Sequence, residues 1–263
     1  MARSRRQEQG SAYLLSASAL LACRALVASP ENAVSAVEKR GLNCNNPVWG
    51  LSREDCQHMS NIGFGSMGKN ENHDNGAIWV GNNGKTTATY RNSATEGGAA
   101  SIIVVVWLQT DYVSSFVNVR QPYITWSLPN PGDTVTISFA QNIAGAFAAL
   151  NHRITILKDG QVFNTWGEFS TGPYATVDVS REPNMGGNRM EIQTSGGCHA
   201  NMDKCVFKCH NGNRCGASGE YYLQNCEPGS QPGNPHIGYY DNNPSGGCGG
   251  FENGGHLDVQ FHN

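Results

Sequence analysis

Apolar and polar side chains alternate with a period of two along much of the middle of the chain. The clearest case is 134–140 (TVTISFA), where Val135, Ile137 and Phe139 alternate with threonines and serine. Such alternation marks a strand with one buried face. Similar short runs at 77–80, 85–90, 123–128, 153–157, 161–165, 174–180 and 189–194 predict further strands. The β-branched run at 101–108 fits a strand buried on both faces, and 113–119 is a further strand. Asn83-Gly84 predicts a hairpin joining the first two strands. Lys158-Asp159-Gly160 predicts another, and 129–132 a turn into 134–140. One helix is predicted after Ser52, with Ser52 as N-cap, Glu54 and Asp55 in the first turn, and an end before Gly63. Beyond 196 the chain is rich in cysteine and glycine, with strands expected only at 221–223 and 257–261. Short strands with turn signals every eight to twelve residues describe a mainly β protein. The expected fold is a β-sandwich with a disulfide-rich C-terminal loop region and a small N-terminal cap.

Composition narrows this further. With 32 Gly and 15% charged residues in 263, the chain lacks what a helical bundle needs, and its five Trp, nine Tyr and nine Phe exclude disorder. The odd count of nine cysteines directs attention to the N-terminus. Arg3, Arg5 and Arg6 precede an apolar run at 12–22, too short to span a bilayer, which reads as a secretory signal peptide over 1–28. Residues 29–40 read as a propeptide ending in the dibasic processing pair Lys39-Arg40, of the kind a fungal secretory protease cuts. Leu20-Leu21-Ala22-Cys23 is also compatible with a bacterial lipoprotein box. Either route leaves eight cysteines: Cys44, Cys56, Cys198, Cys205, Cys209, Cys215, Cys226 and Cys248.

An even number in a secreted chain implies disulfides. Cys44 and Cys56 are isolated from the rest and suit a local loop, and the last six suit pairing among themselves. Cys198-His199 and Cys209-His210 place imidazoles beside thiols and Cys205 and Cys209 have ligand-like spacing, but an oxidising compartment favours disulfides over zinc. No metal and no cofactor are expected. The expected divisions are a disulfide-closed cap over 41–75, the sandwich over 76–195, and a cysteine- and glycine-rich region over 196–263 packed upon it.

Residues 41–263 hold twelve basic and eighteen acidic side chains, a net charge of −6 without any basic run. Nucleic acid is thereby excluded as the main partner, and no segment is long enough for a membrane span. Glu168 and Asp178 are the candidate catalytic pair, since two carboxylates facing one cleft can act as acid and base on a glycosidic bond. Both could instead be structural acids bound to Arg153, Arg181 or a backbone turn. Glu182 follows closely as a candidate binding residue. Tyr239 and Tyr240 are further binding candidates, able to stack on sugar rings or to fill the small disulfide core.

Thr165-Trp166-Gly167-Glu168-Phe169, then Val177-Asp178-Val179-Ser180-Arg181 and Pro183-Asn184-Met185, carry two resemblances. The nearer is to secreted, cysteine-rich fungal candidate effectors of the "effector five" type. It extends through Gly41-Leu42-Asn43-Cys44, Leu51-Ser52-Arg53-Glu54-Asp55-Cys56, residues 78–92 and 129–185, the Asp203 to Cys209 segment and Ser245-Gly246-Gly247-Cys248. It implies a secreted, monomeric protein acting without catalysis outside the cell, on a host protein or a cell-wall target. The more distant is to thaumatin-like proteins, through Glu168-Phe169, Asp178, Ser180, Met185 and Cys198, with Ala175 standing where that family has a further acid. It implies an acidic cleft for β-1,3-glucan binding or weak hydrolysis, beside a sandwich of thaumatin-like outline.

Overall fold

The computed structural model describes residues 41–95, 100–109, 121–240 and 242–263. The predicted signal peptide, the propeptide with Lys39 and Arg40, and the predicted strand 113–119 lie outside the described residues. What is described is mainly β, with one helix and two large sheets.

Helix α1 (Arg53–Ile62) forms where its cap predicts. Ser52 is extended and its Oγ accepts the Asp55 amide at 3.1 Å, and the helix ends at Gly63. The chain then supplies β1 (Ile78–Val80), β2 (Thr86–Asn92), β3 (Ile102–Leu108), β4 (Ile124–Leu128), β5 (Thr134–Phe139) and β6 (Ala144–Asn151). Two short strands, β7 (Leu157–Lys158) and β8 (Gln161–Val162), make a small hairpin. Then come β9 (Trp166–Ser170), β10 (Thr176–Ser180), β11 (Met190–Thr194), β12 (His199–Ala200), β13 (Val206–Cys209) and β14 (Tyr221–Gln224). The chain ends with β15 (His236–Tyr240), β16 (Asn243–Gly247) and β17 (Gly255–Phe261).

The first sheet has the order β1-β5-β2-β17-β11-β12 and the second β14-β13-β10-β9-β6-β3-β4, while β15 and β16 pair only with each other. Period-two patterning turns one face of each large sheet inward. Tyr90, Ile137, Phe139, Ile192, Val259 and Phe261 from the first meet Val104, Val106, Phe147, Phe169, Val177 and Val179 from the second in one buried cluster. That is the core of a β-sandwich. The opposite face of the second sheet is also partly apolar. Ile103, Val105, Trp107, Ala146, Ala148 and Trp166 are covered by Leu51, Cys56, Met59 and Phe64 of the α1 region. The α1 region is fastened there by a buried carboxylate: Asp55 accepts Arg153 Nε at 2.9 Å and Ser127 Oγ at 2.6 Å.

Three expectations are corrected. Strands β1 and β2 do not form a hairpin through Asn83-Gly84, because both pair antiparallel with β5, which lies between them. The segment 153–157 is not a strand up to its last residue. His152 and Arg153 take left-handed φ of 56° each, as Arg153 turns towards Asp55 and the Thr155 hydroxyl bonds the Asn151 amide. Only the tight turn at Asp159-Gly160 survives as drawn, both residues with positive φ. The region after 196 holds six strands, not two, and the last of them, β17, lies parallel to β2 inside the first sheet.

All eight cysteines from Cys44 onward are bonded: Cys44–Cys56, Cys198–Cys248, Cys205–Cys226 and Cys209–Cys215. Among the described residues, no helix is long and apolar enough to cross a membrane.

Candidate functional site

The outer face of the second sheet changes character beyond Trp166. In β9 and β10, Phe169, Val177 and Val179 point into the core, so Glu168, Asp178 and Ser180 must point the other way. The register places Asp178 directly opposite Glu168 and Ser180 opposite Trp166. Side chains at directly opposed antiparallel positions share a face, with Cβ atoms roughly 4.5–5.5 Å apart. Glu168 and Asp178 line a cavity of about 360 Å³ together with Glu182, Trp166, Phe207, Tyr221 and the loop at Cys215-Gly216, and no residue of the α1 region is in that lining.

Each wall has a local cause. Strand β13 joins β10 in parallel, Val206 beside Val179 and Phe207 beside Ser180, and brings β14 with Tyr221 behind it. After β10 the chain turns at Arg181, whose guanidinium bonds the Met185 carbonyl. Glu182 is held there by its own carbonyl, which accepts the Cys215 amide at 3.1 Å, and the Cys209–Cys215 bond closes that loop. The β15–β16 hairpin borders the other side through Pro244, Ser245 and Gly246. Cys248 exchanges two backbone hydrogen bonds with Val177, at 2.9 and 2.7 Å, which docks the base of the hairpin on β10. Gly247 permits that approach: a Cβ there would stand 2.5 Å from the Val177 carbonyl oxygen and 3.2 Å from Asp178 Cβ.

Electrostatically the cavity is one-sided. Its titratable lining residues are Glu168, Asp178, Glu182 and Tyr221, and no basic side chain lines it among the described residues. Asp178 is only 5% exposed, and its Oδ1 has no hydrogen-bond partner. Glu168 and Glu182 keep part of their surface open to the cavity although protein crowds them. Burial pushes Glu168 up to about 7, the Ser180 hydroxyl pulling weakly the other way. Burial, then the charge of Glu168, pushes Glu182 up to about 8, and Ser180 Oγ donates to Glu182 Oε1 at 3.5 Å. Burial and then both glutamates hold Asp178 well above the usual carboxylate range. Tyr221 is raised by burial and by Glu182 and Glu168. The three acids therefore titrate as a group and give up their protons at higher pH than ordinary carboxyls.

The structure thus brings Glu168, Asp178 and Glu182 together. Tyr239 and Tyr240 do not join them: they lie on β15, each 81% exposed, and neither lines the cavity. Sequence reading missed Trp166 and Phe207 as wall residues. Trp166 could have been found from its period-two position before Glu168, but Phe207 reaches the site only through the parallel pairing of β13. As for metal ligands, the described residues contain one trio of donor atoms within 4.8 Å of one another, Cys198, Cys205 and Cys248, and all three sulfurs are in disulfides. The three acids are spread more widely than that. No protein-family model matches the chain, and no curated protein matches it.

Proposed function

We propose that the protein is secreted and acts outside the cell, effector-like, by binding a host or cell-wall target without catalysis, and that the target docks in the cavity around Asp178. One observation carries the docking site: a buried carboxylate with an unpartnered oxygen lines an open cavity beside two further acids. A buried polar atom left without a partner costs on the order of 1–3 kcal/mol, which a donor-bearing ligand recovers. Four disulfides support the extracellular setting, since such bonds persist in oxidising compartments. The resemblance to cysteine-rich fungal effectors supports the same reading. N-terminal sequencing of the secreted protein tests the first part, with Gly41 expected as the first residue after cleavage behind Lys39-Arg40.

The direct opposition of Asp178 and Glu168 favours a second reading, a thaumatin-like β-1,3-glucan binder or weak hydrolase. Retaining glycosidases use two carboxyl groups on one cleft about 5–5.5 Å apart, and direct opposition puts these two acids on one face as cross-strand neighbours. Incubation with β-1,3-glucan separates the readings. The wild type is expected to release no reducing sugar, and release abolished by Glu168→Gln would replace the binding reading with hydrolysis.

A further inference from the structure

The cavity combines three features that a neutral ligand does not need together. Among the described residues, three acids line it with no basic side chain to answer them. Asp178 Oδ1 is a buried acceptor waiting for a donor. Aromatic side chains, Trp166, Phe207 and Tyr221, stand in the same walls. Carboxylates backed by aromatic faces are the surroundings in which ammonium and guanidinium groups are bound, by charge-assisted hydrogen bonds and by attraction to the ring faces. A sugar hydroxyl could bond Asp178 but would leave the repulsion among the acids untouched. A single metal ion suits the group poorly, because its carboxylate oxygens do not all lie within 4.8 Å of one another. Separate positive groups on one flexible ligand match acids spread over β9, β10 and the turn after β10. The net charge of −6 over residues 41–263 draws such a ligand in.

We infer that the cavity recognises a basic peptide segment of a partner protein, with lysine or arginine side chains reaching Asp178, Glu168 and Glu182. This rests on the reading of the cavity as the docking site and names the chemistry of what docks. A lysine side chain stays charged well above neutral pH, so cation and proton compete for the same carboxyls. The groups that set this competition are Glu168 from β9, Asp178 from β10, Glu182 after it and Tyr221 from β14. Strands β6, β13 and β16 and the Cys215-Gly216 loop contribute no titratable side chain to the lining. Binding should therefore tighten as pH rises past the range where the acids give up their protons.

Titration calorimetry with an eight-residue peptide bearing four lysines tests this at pH 6 and pH 8, beside its acetyl-lysine counterpart and a neutral β-1,3-glucan oligomer. The lysine peptide is expected to bind about tenfold tighter at pH 8, and to lose about tenfold on acetylation, with Asp178→Asn, and with Glu182→Gln. Glu182 is part-exposed, so its variant keeps the test open should Asp178→Asn disturb folding. Glu227→Gln, a fully surface acid away from the cavity lining, should bind as wild type does. Equal binding of the acetylated peptide, or equal weakening by Glu227→Gln, would overturn the inference. If the glucan oligomer binds in an Asp178-dependent way and the peptide does not, the cationic ligand is wrong while the docking site stands. If neither binds, both are wrong.

Discussion

Asp178 and Glu168 sit directly opposite each other on β10 and β9, in a cavity that no residue of the α1 region lines. Like charges placed so are destabilising on any sheet, and here burial raises the proton affinity of both. The folded chain thus holds these protons more tightly than the unfolded chain, where the ordinary values are 3.8 for Asp and 4.5 for Glu. Stability from this source is complete below those ordinary values and is lost progressively from there as pH rises through about 7 for Glu168 and about 8 for Glu182. His58 and His262, both lowered from 6.5 chiefly by burial, work in the opposite sense, but only below that value.

The acids' contribution to the melting temperature of the wild type should accordingly fall from about pH 4 to about pH 8. Asp178→Asn, which removes the most buried of the three acids, should raise it at pH 8.5 by about 2–4 °C. At pH 3.5, below the ordinary aspartate value of 3.8, the same substitution should give little or nothing. A gain of equal size at both values would mean that the titration of this carboxyl is not its source.

The Cys209–Cys215 bond closes a loop with a sequence separation of 6, and its Cys215 amide holds the Glu182 carbonyl. Replacing both cysteines by alanine should cost only about 2 kcal/mol, as expected for so short a loop. Ligand affinity should fall further than that modest loss suggests, because Glu182 is freed. Losing Cys44–Cys56, with a separation of 12, should cost about 3 kcal/mol and leave affinity unchanged. Chemical denaturation and binding measured on the two double variants check the contrast.

Gly167 lies between Trp166 and Glu168, and a Cβ there would stand 2.2 Å from the Phe147 ring. Gly167→Ala should destabilise the sandwich by about 1–3 kcal/mol through overpacking, seen as a lower denaturation midpoint with an unchanged slope.

Asp55 is 1% exposed and joins α1 to Arg153 and Ser127. Asp55→Ala strips two donors of their acceptor and should cost about 3 kcal/mol. Arg153→Ala leaves that buried carboxylate without its counter-charge and should cost a comparable amount. Negligible losses from both would show that the helix is held mainly by its apolar face.

Legibility in the sequence followed local signals. The alternation of Val135, Ile137 and Phe139, the Ser52 cap and the Asp159-Gly160 turn all express short-range physics, and all are found. Strand β6 was illegible because its Ala-Gly-Ala-Phe-Ala-Ala run has no β-branched residue. Its place between β3 and β9 explains the small side chains: a Cβ on Gly145 would meet the Trp107 carbonyl at 2.3 Å and the Phe169 ring at 2.8 Å. Likewise, the chain position of Glu168 and Asp178, ten residues apart around a turn, hinted that they could face one another. That Tyr221 and Phe207 would close the same cavity depends on β13 pairing parallel to β10, a long-range choice no local pattern encodes.

The docking site is tested most directly by following backbone amide resonances of the isotope-labelled protein while the lysine peptide is added. Amides of Glu168, Asp178, Gly216, Tyr221 and Gly246, all in the cavity lining, should shift together and saturate at one peptide per chain. The same titration of Asp178→Asn should leave them nearly still. Shifts confined to the α1 region or to the exposed Tyr239 and Tyr240, with the cavity amides unmoved, would contradict the assignment of this cavity as the functional site.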